Sequence, residues 1–215
     1  FAIYPFAANL FKEADIPKTW NGYWDFWCDK VQGTMRAKGK RVYGIGHPMG
    51  IAASDTFYSF LTFANAYNAN VVDENGKTVL DQPENKKAMV EAVKSYANVF
   101  QRGCTPPSSV NWLDPDNNVA FHNRTTVATH NATISIAGKH MDDMSNQALT
   151  AEQRAAAKKN YEDNIRTAEF PLKADGSKMT NLAAVKTAVI FAEGKNKKRA
   201  KEFMAFFMKD ENLRP

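Results

Sequence analysis

The chain has 215 residues, of which 44% are hydrophobic and 24% are charged. This length allows one sizeable core, or one domain plus part of another, and the recurring aromatic residues exclude a disordered protein. No apolar run reaches the roughly 20 residues of a membrane span. Much of the net charge of +5 lies at residues 195–201. This lysine-rich run favours the solvated start of a helix, with nucleic-acid binding as the alternative.

The two cysteines bear on the redox state of the compartment, and the ends of the chain bear on whether the sequence is a piece of a longer protein. Cys28 and Cys104 have no CxxC spacing, which excludes the common zinc and redox motifs. An oxidising compartment would allow a disulfide between them, and two unpaired thiols fit the sequence equally well. Residues 1–6 lack the basic n-region and cleavage site of a signal peptide. Because the chain opens on Phe1 and ends on Pro215, we expect a piece of a longer protein.

The first half of the chain alternates between short apolar runs and longer amphipathic ones. Between Thr19 and Gly39, apolar residues recur every three to four positions, which favours a core helix over an aromatic surface for a ligand. Asn75-Gly76 predicts a hairpin turn. In order, we predict a strand at 1–4, a short helix at 6–14, the long helix, a strand at 41–45, a loop at 46–50, a helix from 54 or 55, and a hairpin at 71–80.

The second half continues the alternation. A helix at 84–102 is predicted to end at Gly103, and the following loop reaches Trp112. We then predict a short helix at 117–122, a strand at 125–129, helices from 133 and at 151–161, an extended stretch at 170–176, a strand at 183–191, and a final helix capped by Asn196. Strands alternating with helices predict an α/β fold with a mixed or largely parallel sheet.

Four stretches, taken in order, carry a resemblance to a known family. They are FAIYPFAANLFKEADIPKTWNGYWDF, ANVVDENGKTVLDQPENKKAM, WLDPDNNVAFHNRTTVATHNATISI and AEGKNKKRAKEFMAFFM. Each is a weak motif alone, but the order and the gaps together resemble the family 1 bacterial extracellular solute-binding proteins, the maltose-binding-protein-like group. Asp15 stands where the family has a glycine in the first stretch.

The resemblance implies a type II periplasmic-binding fold, in which two α/β lobes joined by hinge strands close on a ligand. Residues 1–181 would form most of the second lobe, with a mixed sheet flanked by helices. Residues 182–215 would be a crossover strand and a helix returning to the first lobe. The family acts as a monomeric, cofactor-free receptor that passes a sugar or sugar-like solute to ABC permease subunits in the inner membrane. The resemblance also implies a periplasmic location, or a secreted and membrane-anchored location in a Gram-positive bacterium.

Candidate ligand-binding residues stand at predicted strand ends and helix starts, where backbone N–H groups and short polar side chains are exposed. His47 lies in the loop at 46–50, and Asp55 starts the next helix, where it could equally be the N-cap. Trp112 is a stacking surface for a sugar or else a packing anchor. Asn131 matches the family's asparagine and could instead cap a helix; His130 precedes it.

One difference from the family narrows the expected ligand, and the absence of catalytic motifs argues against an enzyme. Ile134 stands where the maltose binders have a tryptophan, which implies a smaller or differently held ligand. A receptor for a polyamine, iron or a phosphonate remains an alternative, as does an α/β enzyme such as a transferase. We expect a binding protein without a metal site and not an enzyme, because the sequence has no HExxH, GxSxG or phosphate-loop motif.

Overall fold

The computed structural model describes residues 2–3, 11–131, 135–180, 182 and 187–213 of the protein. The chain divides into two compact units, Phe1–Thr180 and Asn181–Pro215. The assignment of these units to the two lobes of a longer protein remains a prediction. None of the described helices is long and apolar enough to cross a membrane.

A four-stranded mixed sheet lies in the first unit, in the order β2-β3-β1-β4. The strands are β1 (Ala2–Ile3), β2 (Tyr43–Gly46), β3 (Thr126–Thr129) and β4 (Arg166–Thr167). β2 and β3 are parallel, while β1 is antiparallel to β3 and β4. The predicted α/β fold with a mixed sheet flanked by helices is therefore confirmed.

Nine α-helices lie within the described residues. They are α1 (Trp20–Asp25), α2 (Gln32–Ala37), α3 (Ser54–Ala66), α4 (Pro83–Gln101), α5 (Asp116–His122), α6 (Ser135–Ser145), α7 (Ala151–Lys159), α8 (Lys197–Phe207) and α9 (Asp210–Leu213). A π-helical turn, Phe26–Val31, joins α1 to α2, so the predicted long helix is one rod with a widened middle. Short 3₁₀ turns occur at Glu13–Asp15 and Pro107–Asn111, and a π turn follows α7 at Asn160–Asn164.

Some predicted elements differ from the structure. The predicted hairpin at 71–80 has a single isolated bridge, Val72 to Thr78, and in its turn Asp73 accepts the amides of Asn75 and Lys77. Most of the predicted helix at 6–14 lies outside the described residues. Residues 183–186 of the predicted strand at 183–191 also lie outside them, and residues 187–191 have irregular backbone. The lysine-rich run at 195–201 is largely exposed, as predicted.

The core of the first unit is built on the aromatic stripe of the long helix. Trp20, Tyr23, Trp24 and Trp27 are each at most 4% exposed and pack against Phe63 of α3 and the sheet. Burying side chains of this size contributes several kcal/mol of hydrophobic stabilisation. The predicted core helix is thus confirmed.

Two cross-links join the long helix to β2 and to the end of α4. Cys28, in the π turn, forms a disulfide with Cys104, which follows α4. The buried Gln32 side chain donates to the Gly103 carbonyl at 3.0 Å and accepts the Gly44 amide at 2.7 Å. The sequence left the disulfide open, and the structure forms it.

Gly44 lies where β2 crosses the π turn, and a Cβ atom there would be 2.3 Å from the carbonyl oxygen of Trp27. Because that oxygen belongs to backbone, it cannot move aside as a flexible side chain can. We expect Gly44→Ala to lower the free energy of unfolding by about 1–3 kcal/mol, measured by urea denaturation. Gly33→Ala is the matched control, since Gly33 lies on α2 with nothing within 4 Å of its Cβ position. Equal losses in the two variants would contradict this packing.

Candidate functional site

Two of the predicted site residues meet at one edge of the sheet. β2 and β3 are parallel, and their last residues, Gly46 and Thr129, are paired. His47 directly follows the first strand and His130 the second, so both rings stand at the carboxyl ends of adjacent strands. Their ring centres are 5.7 Å apart, with the ring planes at 87°. Ligands of open α/β sheets commonly bind at this edge.

Aromatic rings from three helices and one loop surround the two imidazoles. Trp24 of α1 contacts both, with ring centres 5.9 Å from His47 and 5.2 Å from His130. The other rings are Phe63 at 5.4 Å and Tyr96 at 4.7 Å from His47, and Phe170 at 4.6 Å from His130. None of these three rings was among the residues predicted to bind a ligand, and nothing in the extended stretch at 170–176 indicated that Phe170 would reach this edge.

Both imidazoles are held neutral by burial. His47 is 0% exposed and His130 is 6% exposed. Burial lowers the pKa of His47 to about 3, and burial with the neighbouring His47 lowers the pKa of His130 well below its ordinary value. Both ring nitrogens of His47 and Nε2 of His130 have no hydrogen-bond partner among the described residues. A neutral imidazole offers one donor and one acceptor, so this edge holds unused hydrogen-bonding capacity.

The backbone beside each histidine is fixed by a polar side chain. Thr105 Oγ1 lies 3.3 Å from the amide nitrogen of His47, which donates to it. Asn117 Nδ2 donates to the carbonyl oxygen of His130 at 2.9 Å. Neither Thr105 nor Asn117 was among the residues predicted to line the site. Asn117 lies in the third of the four stretches that resemble the family, so the sequence could have indicated it. Thr105 directly follows the disulfide-bonded Cys104, and no sequence motif marks it.

Asp55 lies in the first turn of α3 and is half-buried. The start of that helix is capped by Asp114, which accepts the Ser54 hydroxyl at 2.7 Å and the Asp55 amide at 2.9 Å. The capping role that the sequence allowed for Asp55 therefore belongs to an aspartate on another loop. The carboxylate of Asp55 stands near the positive end of the α3 dipole.

Trp112 lies on the loop between the Pro107–Asn111 turn and α5, and it is 8% exposed. Its indole nitrogen donates to Ser108 Oγ at 3.1 Å. Gly50 packs directly on it, since a Cβ at Gly50 would lie 2.0 Å from the carbonyl oxygen of Trp112. The loop that carries His47 therefore rests on the loop that carries Trp112.

Asn131 follows His130 and joins two helices. Its amide nitrogen donates to Oδ1 of Asn118 on α5, and its amide oxygen accepts the Ser135 hydroxyl at the start of α6 at 2.8 Å. Ile134, in the neighbouring stretch at 132–134, lies outside the described residues.

Exposed apolar side chains flank these polar groups. Ile51 is fully exposed on the loop after His47, and Phe57 and Tyr58 are exposed in the first turns of α3. Leu113 and Val119 are exposed on either side of Asp114. Apolar surface beside polar groups is typical of a ligand-binding surface. Within the described residues, no group of three or more His, Cys, Asp or Glu side chains is arranged to hold a metal ion.

A comparison with protein families matches residues 6–215 to the bacterial extracellular solute-binding proteins. The chain belongs to this family. The family resemblance predicted from the four sequence stretches is therefore confirmed. No curated protein matches the sequence.

Among solved structures, this solute-binding protein is similar to the maltose-bound MalE3 of T. maritima, with a TM-score of 0.67 and 16% sequence identity. The match covers 98% of this chain and 48% of that one. At this identity the likeness establishes the fold alone, a partial maltose-binding-protein-like lobe. Since the chain spans about half the length of MalE3, the five predicted site residues remain candidates for half of a cleft.

Proposed function

We propose that this solute-binding protein captures a sugar or sugar-like solute in a cleft between two lobes and delivers it to the permease subunits of an ABC importer. The ligand would stabilise the closed arrangement through contacts that the open one cannot make. Family membership supports a receptor rather than an enzyme, and a periplasmic or extracellular location. The observation that carries the sugar proposal is the pair of neutral, buried imidazoles at the carboxyl ends of β2 and β3.

The chemistry of this edge suits an uncharged solute with hydroxyl groups. Neutral imidazoles can both donate to and accept from a hydroxyl, whereas charged side chains would favour an ion. Aromatic and aliphatic side chains beside them suit the C–H faces of a sugar ring. MalE3, which shares the fold, is maltose-bound in its own structure.

The five candidate residues would have different roles. Asp55 and Asn131 are half-buried and stand where a solute can reach them. Trp112 and His130 keep a small exposed surface, whereas His47 has none. We therefore place His47 beneath the others, where it orients His130 and contacts a solute directly only if the loop at 46–50 moves.

The other ligand classes fit this edge less well. A polyamine needs clustered carboxylates, and the two groups that the parallel strands bring together are neutral rings. A ferric ion binds ionised phenolates, yet burial raises the pKa of Tyr96 to about 12 and also raises the pKa of Tyr23 well above its ordinary value. A phosphonate needs positive charge, which His47 and His130 do not carry at neutral pH.

The direct test is calorimetric titration of the intact protein with a panel of mono- and disaccharides, a polyamine, ferric citrate and a phosphonate. We expect saturable binding of at least one sugar and of none of the three charged ligands. Binding of a charged ligand with no response to any sugar would overturn the sugar assignment. It would leave the family and the fold intact.

Two substitutions test the location of the site. We expect Trp112→Ala and Asp55→Asn each to weaken sugar binding about tenfold or more, because the first removes a stacking surface and the second weakens a hydroxyl acceptor. Glu91→Gln is the matched control for the lost charge, since Glu91 pairs with Lys94 on α4. Affinities equal to that of the control would place the sugar elsewhere. Circular dichroism checks that each variant is folded.

A further inference from the structure

A second pair of histidines lies between α5 and α6, and the proposed solute site does not use it. His122 is the last residue of α5, and His140 stands in the middle of α6. Their ring centres are 5.0 Å apart, with the ring planes at 81°. His140 is only 5% exposed. Phe121 of α5 and Ile136 of α6 also form a small apolar cluster with Ile165, which follows the π turn at Asn160–Asn164.

Three of the four ring nitrogens of this pair are buried and have no hydrogen-bond partner among the described residues. They are both nitrogens of His140 and Nδ1 of His122. A buried polar atom without a partner costs about 1–3 kcal/mol, so a ligand that satisfies it is favoured. Imidazole binds metals through the lone pair of an unprotonated ring nitrogen.

The spacing of the rings fits a shared metal ion. Imidazole nitrogens bind zinc at about 2 Å, and a near-tetrahedral angle at the metal then sets the two ring centres about 5 Å apart. The observed separation is 5.0 Å. We propose that His122 and His140 form a binding site for a divalent transition metal of the Zn²⁺ and Ni²⁺ class, which bridges α5 and α6.

The charged neighbours of the pair are Lys139 and Asp143. Asp143 lies one turn after His140 on α6, and its carboxylate forms an ion pair with Lys139 at 2.6 Å. Since no cluster of three ligating side chains exists in the described part of the chain, water would fill the remaining positions. The Lys139 ammonium repels a metal cation and competes for the carboxylate, so it weakens the site.

A metal at this position would clamp the two helices that hold the turn at 130–131. Asn118 on α5 and Ser135 on α6 both bind Asn131. An ion that binds only the folded protein stabilises it, and the stabilisation grows with the ratio of the ion's concentration to its Kd. The metal site is independent of the identity of the solute, because it shares no residue with the proposed sugar site.

The test is a titration of the intact protein with Zn²⁺ and with Ni²⁺, followed by nitrogen NMR of the histidine rings and by calorimetry. We expect one ion per chain, with Zn²⁺ shifting the ring nitrogens of His122 and His140 and leaving those of His47 and His130 unchanged. His122→Gln is expected to weaken binding about tenfold or more, because one of two imidazole ligands is lost. His122 is the more exposed of the two residues, which makes it the safer substitution for folding.

Lys139→Gln separates metal binding from a merely structural role. Removing the cation frees Asp143 and relieves repulsion, so we expect tighter Zn²⁺ binding in this variant, by several-fold. A structural histidine pair would give no such gain. The proposal is overturned if millimolar Zn²⁺ and Ni²⁺ leave the His122 and His140 rings unshifted, if only other histidines respond, or if His122→Gln binds as tightly as the unchanged protein.

Discussion

Reduction of the Cys28–Cys104 disulfide is expected to lower the free energy of unfolding by about 4 kcal/mol. The bond closes a loop of 76 residues, and in the chain-entropy account a cross-link of this span restricts the unfolded chain by about that amount. It also fixes the end of α4 against the π turn, because Gln32 binds Gly103 on one side of Cys104.

Urea unfolding with and without reductant measures this effect, and Cys28→Ser with Cys104→Ser provides the control. The double variant should unfold at lower urea concentration than the oxidised protein, and reductant should not change it further. Identical unfolding of the oxidised protein and the double variant would contradict the stabilising role. Thr105, next to Cys104, contacts the amide of His47. We therefore also expect reduction to weaken solute binding.

Acidification is expected to remove about 5 kcal/mol of stability through His47 alone between pH 6.5 and pH 3. In the unfolded chain this ring titrates near the ordinary pKa of 6.5, and in the folded protein its pKa is about 3. The folded state therefore binds fewer protons across this range. The stabilisation is complete above pH 6.5 and is lost as the pH falls toward 3. Each pH unit across this interval is worth about 1.4 kcal/mol.

The measurement is the free energy of unfolding at a series of pH values for the unchanged protein and for His47→Gln. Glutamine does not titrate, so the variant should lose stability less steeply below pH 6.5. Carboxylates contribute to acid unfolding in both proteins, and the difference between the two curves isolates the ring. Parallel curves would show that His47 is not held neutral by burial.

The order of strands and helices could be predicted from the sequence because local signals mark it. Gly39 and Gly103 take positive φ values of 73° and 65° at the ends of helices, where the sequence predicted breaks. The π turn could not be predicted, because residues 26–28 are all buried and one extra residue leaves no gap in the apolar pattern. The disulfide also could not be predicted, because the spacing of the cysteines along the chain does not show which distant segments meet.

The candidate site was predicted in parts. His47 and His130 were each expected at a strand end, but their contact depends on the parallel pairing of β2 with β3, which the sequence does not reveal. Asp55 could not be distinguished from a helix cap until Asp114 was found capping α3 from another loop. Rings that reach the edge from distant segments, such as Phe170, depend on tertiary packing and leave no local signal.

The most direct test of the central claim is a crystal structure of the intact protein with a bound sugar identified by calorimetry. We predict that the sugar lies over the carboxyl ends of β2 and β3, in contact with Asp55, Trp112 and residues 130–131. His47 should lie beneath it with its ring neutral. A sugar bound elsewhere, with these residues making only internal contacts, would contradict the account.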